Sequence, residues 1–211
     1  MKKIFLSILL AALSVGLLAA PTQAATITFD NYAKFAGTPA LPTFSATIED
    51  IDSGVRITMD HPVSTDADIV FTWFFNINPL TVATTSPTFT FITGGVEATG
   101  QGPTPGTQFG EDVQQADGDG KFDMVFTWPN SGTGQFVEGQ TSVYEVSDLN
   151  VLDFLFLSTP VGGQGPYYSA VEQSAWWGQE TPPAVVPIPA AAWLLGTGLV
   201  GLVGIRRKYR K

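Results

Sequence analysis

The chain contains no cysteine, a single histidine and, between Asp30 and Glu180, only three basic residues, Lys34, Arg56 and Lys121. Each shortage removes a class of chemistry. Without cysteine there are no disulfides, no thiol nucleophile and no cysteine-ligated zinc. With one histidine, a serine triad would have to recruit His61 from an aspartate-rich segment, and no Gly-x-Ser-x-Gly turn is present to carry the serine. The three bases stand against all 19 acidic residues of the chain, so this stretch carries −16. A body this acidic is repelled by polyphosphate backbones, which excludes nucleic acid as a partner. The remaining positive charge lies at the two ends, in Lys2 and Lys3 and in Arg206, Arg207, Lys208, Arg210 and Lys211, and brings the 211 residues to a net −9. That length is room for one domain.

Both ends carry apolar runs. Lys2-Lys3, the run from Ile4 to Ala20 and the small-residue segment Pro21-Thr-Gln-Ala24 have the order of a secretory signal peptide. Cleavage after Ala24 leaves Ala24 last before the bond and Thr22 two residues before Ala24; cleavage after Ala20 would put a proline just past it. The Sec translocon and signal peptidase are therefore expected partners. At the other end no charged residue occurs from Ala184 to Ile205, and five of the last six residues are basic. Residues 190–205 as a helix span roughly 24 Å at about 1.5 Å per residue, slightly less than a hydrocarbon core of about 30 Å. Snorkelling Arg and Lys side chains and local bilayer thinning close that gap. The basic tail 206–211 then stays in the cytoplasm and the acidic body lies outside the inner membrane. Within the run, Gly196-Thr-Gly198-Leu-Val-Gly201 spells a dinucleotide-binding pattern, but ten residues remain after it and none is acidic, so no βαβ unit can follow. Gly198, Gly201 and Gly204 are better read as a small-residue face of a membrane helix.

The order Val186-Pro187-Ile188-Pro189, an alanine-rich start, Trp193, a glycine-rich apolar helix and a tail opening on Arg206-Arg207 resembles the PEP-CTERM sorting signal of Gram-negative bacteria. The resemblance covers residues 186–211. It departs from the name-giving motif at Ile188, where the central glutamate usually stands. It implies recognition by an exosortase, a membrane transpeptidase-like enzyme. Cleavage near Pro187–Pro189 would then release or transfer the body to the cell surface or the extracellular matrix. Such proteins typically accompany exopolysaccharide and biofilm production, and this chain would be the enzyme's substrate. The expected organisation is a signal peptide over 1–24, an acidic body over 25–177, a linker over 178–185 and a sorting signal over 186–211.

The body is built of short segments rich in Thr, Val, Ile and Phe, punctuated by Gly, Pro, Asn and Asp, with no helical period of useful length. Thr43–Glu49 and Val55–Met59 flank Asp50-Ile-Asp-Ser-Gly54 and predict a hairpin with Ile48, Val55 and Ile57 on its apolar side. The apolar run Ile69–Ile77 predicts a buried strand. Phe89 and Phe91 alternate with Thr88 and Thr90. Phe122, Met124, Phe126 and Trp128 alternate with Asp123, Val125 and Thr127. Further strands are expected at Ser142–Val146, Val151–Leu157 and Tyr167–Glu172. This pattern predicts an all-β fold, an antiparallel β-sandwich or jelly roll, burying most of the phenylalanines. Residues 94–110, rich in glycine, are expected as a long mobile loop.

Three groups of residues carry candidate chemistry. Asp117-Gly-Asp119-Gly-Lys-Phe-Asp123 sets Asp117, Asp119 and Asp123 at positions one, three and seven of a calcium-loop-like pattern, and carboxylates so spaced can converge on Ca²⁺. Lys121 at the third ligand position and the lack of a glutamate at the twelfth exclude an EF-hand. Asp-Gly pairs also make plain hairpin turns, the competing explanation. The second group, Asp60-His61 with Asp66 and Asp68, has the ligand types of a metal site and the composition of a solvated loop. Finally, Trp73, Trp128, Tyr167, Tyr168, Trp176 and Trp177 could stack on sugar rings, or pack in the core. The leading expectation is a non-enzymatic exported protein of the cell surface or matrix. A carbohydrate-binding module recognising exopolysaccharide comes next, and a β-sandwich glycoside hydrolase or lyase using paired carboxylates third.

Overall fold

The computed structural model describes residues 25–34, 44–61, 63, 69–92, 94–116, 120–161, 165–173, 176–179 and 182–187. The expected signal peptide, membrane helix and basic tail lie outside these residues, as do Ala24, Asp66, Asp68, Asp117, Asp119, Pro189, Trp193, Arg206 and Arg207. One compact unit spans Ala25–Val186.

Two main antiparallel sheets and little helix make up this unit. The first sheet runs in the order β1 (Ala25–Phe29), β3 (Ser45–Ile51), β4 (Gly54–His61), β11 (Gln140–Ser147) and β7 (Phe89–Phe91), and the short β14 (Val186–Pro187) is ordered before β1. The second runs β2 (Tyr32–Lys34), β13 (Trp176–Gln179), β12 (Ser169–Glu172), β6 (Thr72–Phe75), β9 (Lys121–Thr127) and β8 (Thr107–Gln115). A separate pair joins β5 (Ile69–Val70) to β10 (Phe136–Val137). The predicted hairpin forms as β3 and β4, paired from Ser45 opposite Asp60 to Ile51 opposite Gly54. Its alternation points Ile48, Val55, Ile57 and Met59 inward, all fully buried.

One core collects side chains from both sheets: Ile27, Phe29, Ile48 and Ile57 from the first, Trp73, Phe75, Met124 and Phe126 from the second. The rings meet edge-on or tilted, as their quadrupoles favour; Phe29 lies 5.7 Å from Phe75 and Phe126 lies 4.9 Å from Tyr144, centroid to centroid. Eight phenylalanines are buried, each contributing about 1.5–3 kcal/mol through the water-exposed area it removes. Phe74, alternating with Trp73 and Phe75, joins a second apolar cluster with Phe122, Val125, Tyr167 and Ala170. All four residues of β6 are therefore buried. That double covering explains why Ile69–Ile77 reads as a continuous apolar run instead of an alternating one. The run breaks at Phe71, whose backbone N–H donates to Glu172 O between β5 and β6.

Three expectations change. The strand predicted at Val151–Leu157 is instead a 3-10 turn, Val151–Phe154, because Asn150 and Asp153 form a reciprocal cap: the Asn150 side chain accepts from Leu152 N at 3.0 Å and Asp153 accepts from Asn150 N at 2.9 Å. Val151 and Phe154, three residues apart, share one face of that turn and still reach the core. A short helix, α1 (Pro79–Thr84), forms where no helix was expected; Asn78 caps it and Pro79 opens it. The glycine-rich segment 94–110 is tied down instead of loose. Its Val96 N donates to Thr141 O at 2.9 Å, Ala98 N to the Tyr144 hydroxyl at 2.7 Å and Gly100 N to Thr127 O at 2.9 Å, and from Thr107 it is already strand β8.

Candidate functional site

Asp123 is the one candidate ligand of the predicted calcium loop within the described residues. It sits on β9 with 6% of its surface exposed, and each carboxylate oxygen accepts a backbone hydrogen: Oδ2 from Ile77 N at 3.1 Å, Oδ1 from Asp112 N at 3.0 Å. The first bond fixes the segment leading from β6 into α1. The second fixes a bulge in β8, where the pairing with β9 shifts register between Phe109 and Gln114 and Asp112 takes a left-handed backbone, φ 52°. Burial raises the Asp123 pKa above the usual carboxylate value, against the lowering effect of its two backbone donors, and the nearby charges of Asp112 and Glu111 push the same way. Lys121 reaches the Asp112 carboxylate at 3.4 Å. Among the described residues, no three His, Asp or Glu side chains are grouped closely enough to hold a metal ion.

His61 and Asp60 occupy the end of β4. The inward alternation Val55, Ile57, Met59 continues to His61, which is 2% exposed. Its ring packs 5.2 Å from Phe44 and 5.9 Å from Phe136, centroid to centroid. Asp60 points the other way, and its Oδ1 accepts from the Thr141 hydroxyl at 2.7 Å. The two residues help to line a surface concavity of about 440 Å³ together with Ser45, Val63, Gly139, Gln140 and Thr141. One carboxylate and hydroxyl or amide groups face it. A solvated loop is thus the wrong picture for His61, which is a core residue at the rim of a surface hollow.

The aromatic candidates divide. Trp73 and Trp128 are fully buried and Tyr167 is 4% exposed, so none of the three is a platform for sugar stacking. Tyr168 is half-buried, and Trp176 and Trp177 lie on β13. Trp73 has a structural partner that sequence inspection missed. Its Nε1–H donates to the Tyr32 hydroxyl at 3.0 Å; that hydroxyl lies 2.8 Å from Ser169 Oγ, which donates to Phe74 O at 2.7 Å. This buried chain ties β2, β6 and β12 together, and burial pushes the Tyr32 pKa far above that of a free phenol. Tyr144, whose hydroxyl accepts from Ala98 N, is likewise pushed up to about 12, first by burial. An aromatic at the head of a short strand, as Tyr32 is in β2, carries no sequence mark of such a role.

Comparisons with protein families, with curated proteins and with solved structures find no match.

On the outer face of the first sheet, Arg56 on β4 bridges its neighbours, with Nη1 at 2.9 Å from Glu49 on β3 and Nη2 at 2.8 Å from Glu145 on β11. Exposed pairs of this kind add little stability, about 0–1 kcal/mol each. They do commit the guanidinium to holding three strands in register. The described acids serve as surface charge, as ion-pair partners of Arg56 and Lys121, and as acceptors for backbone amides and side-chain hydroxyls.

Proposed function

We propose that this chain is an exported protein of the cell surface or extracellular matrix. It is delivered by the Sec translocon, trimmed by signal peptidase after Ala24, and sorted by an exosortase through residues 186–211, with a body that performs no catalysis. The observation that carries this reading is the ordered C-terminal pattern of Val186, Pro187, Pro189, Trp193, the apolar run and Arg206-Arg207. The limits of the folded unit support it: they fall at Ala25, just past the expected signal-peptidase bond, and at Val186, the first residue of the sorting element.

For the body itself we infer a β-sandwich of jelly-roll type. The chain passes repeatedly from one main sheet to the other, β1 then β2, β4 then β6, β9 then β11, β11 then β12, while both sheets feed one core. Sandwiches of this kind serve as rigid surface modules. The hollow beside Asp60 offers one carboxylate, where glycoside hydrolysis needs two, and the loss of Trp73, Trp128 and Tyr167 to the interior weakens a stacking role toward exopolysaccharide.

Deleting residues 186–211 and fractionating the native Gram-negative host tests the proposal. The truncated body should be secreted but no longer held or processed at the membrane; identical fractionation of truncated and full-length protein would refute the sorting role. Intact-mass measurement of the mature protein reads both cleavage sites in one experiment.

A further inference from the structure

The first residue of the body is already engaged in the fold. Ala25 N lies 3.1 Å from Oδ2 of Asp50, the β3 residue next to the one opposite Thr26, and the other oxygen of the same carboxylate accepts from Val151 N at 2.8 Å. One half-buried side chain thus holds the start of β1 and the start of the 3-10 turn that follows β11. In the precursor, Ala25 N is a neutral peptide amide. In a chain cut after Ala24 the same nitrogen is an α-amino group, ionised at neutral pH with an ordinary pKa of about 7.7–8.0.

We propose that signal-peptide removal converts this contact into an ion pair between the new α-ammonium of Ala25 and Asp50, a lock on the fold that only the processed protein possesses. The inference rests on cleavage after Ala24. Its physical basis is that the precursor bond has one ionised partner, the Asp50 carboxylate, whereas cleavage puts a positive charge on the donor as well and adds a direct Coulomb attraction at about 3 Å, and the acceptor is placed within reach before that charge appears. Two of the body's three described Lys and Arg side chains are committed elsewhere, Arg56 to Glu49 and Glu145 and Lys121 to Asp112. The ammonium is thus the cation that processing itself supplies to Asp50. Because Asp50 also holds Val151, strengthening its hold on Ala25 fixes β1, the end of β3 and the 3-10 turn as one unit. An unprocessed chain lacks this reinforcement and holds β1 through ladder bonds and a neutral amide alone.

The test uses the exported chain purified from its host. Intact mass is read first. A chain that does not begin at Ala25 refutes the cleavage reading and this lock with it. If Ala25 is first, the α-amine is acetylated selectively near pH 6.5 and thermal unfolding is compared in wild type and in Asp50→Asn, which keeps an acceptor for Val151. The expected result is a midpoint lowered by about 2–4 °C in wild type, the shift of one charge lost from a half-buried contact in a body of this size, and almost no shift in Asp50→Asn. No shift in wild type, or the same shift in both, overturns the lock while leaving the cleavage site standing. The acetylation of wild type needs no variant, so the outcome is readable even if Asp50→Asn fails to fold.

Discussion

Replacing Asp123 by alanine should destabilise the body more than any loss of surface charge could. The substitution removes both oxygens that Ile77 N and Asp112 N donate to, at 3.1 Å and 3.0 Å. A buried donor left without an acceptor costs about 1–3 kcal/mol. The Ile77 amide is buried and suffers most of that, whereas the half-buried Asp112 amide in the β8 bulge can recover water, so the expected loss is about 2–3 kcal/mol. Urea unfolding is the assay: with a slope near 2 kcal/mol per molar, the midpoint moves down by about 1–1.5 M without a change of slope. Asp123→Asn keeps one acceptor and should cost about 1–2 kcal/mol at pH 7. Acid separates the two contributions further. The folded-state pKa of Asp123 is raised, first by burial, above its unfolded value, so ionisation favours the unfolded chain. The wild-type contribution is then largest below the unfolded pKa of about 3.9 and falls as pH climbs through the folded value. Wild type should therefore outstrip Asp123→Asn by more at pH 4 than at pH 7. An alanine variant within about 0.5 kcal/mol of wild type, the scatter of ordinary surface changes, would refute the anchoring role. So would an asparagine penalty that shrinks on acidification.

Tyr32→Phe removes the acceptor of the Trp73 Nε1–H inside the core and should lower stability by about 1–3 kcal/mol; a near-neutral variant in chemical denaturation would mean that the buried chain through Ser169 is dispensable. At Gly106 a Cβ would overlap the carbonyl of Ala98. Gly106→Ala should therefore detach the 94–106 segment, seen as faster proteolysis there, and wild-type resistance would contradict the packing. Melting in EDTA and then in excess Ca²⁺ tests the calcium-loop expectation for Asp117, Asp119 and Asp123: a transition temperature that rises with Ca²⁺ supports a ligand role, and an unchanged one refutes it.

Strands with one wet face were legible in the sequence because their alternation is undiluted. The hairpin of Ile48, Val55 and Ile57 and the strand around Val143–Val146 appear where the pattern puts them. Where both faces are covered, as around Phe74 and Val125, the pattern blurs into an apolar run whose boundaries sequence cannot set. The 3-10 turn at Val151 was missed because its apolar residues mimic a strand, while the deciding groups are two polar side chains, Asn150 and Asp153, bonding locally. The dipeptide Asn78-Pro79 was a readable start signal for α1. For the candidate site, the alternation that ends in His61 already pointed to the core. The sequence showed which acids cluster along the chain, but acceptors for backbone amides and ligands for cations share one residue type. Only geometry separates them.

Asp50, Asp123 and Asp153 each reach from one segment to the backbone or side chain of another, Asp153 accepting from the Thr81 hydroxyl as well as from Asn150. In a body without cysteine, these carboxylates occupy the place that cross-links hold in many exported domains. They close when the strands find register and need neither an oxidant nor an isomerase. The folded body should consequently be indifferent to reductant, and its folding yield should not depend on a thiol oxidant.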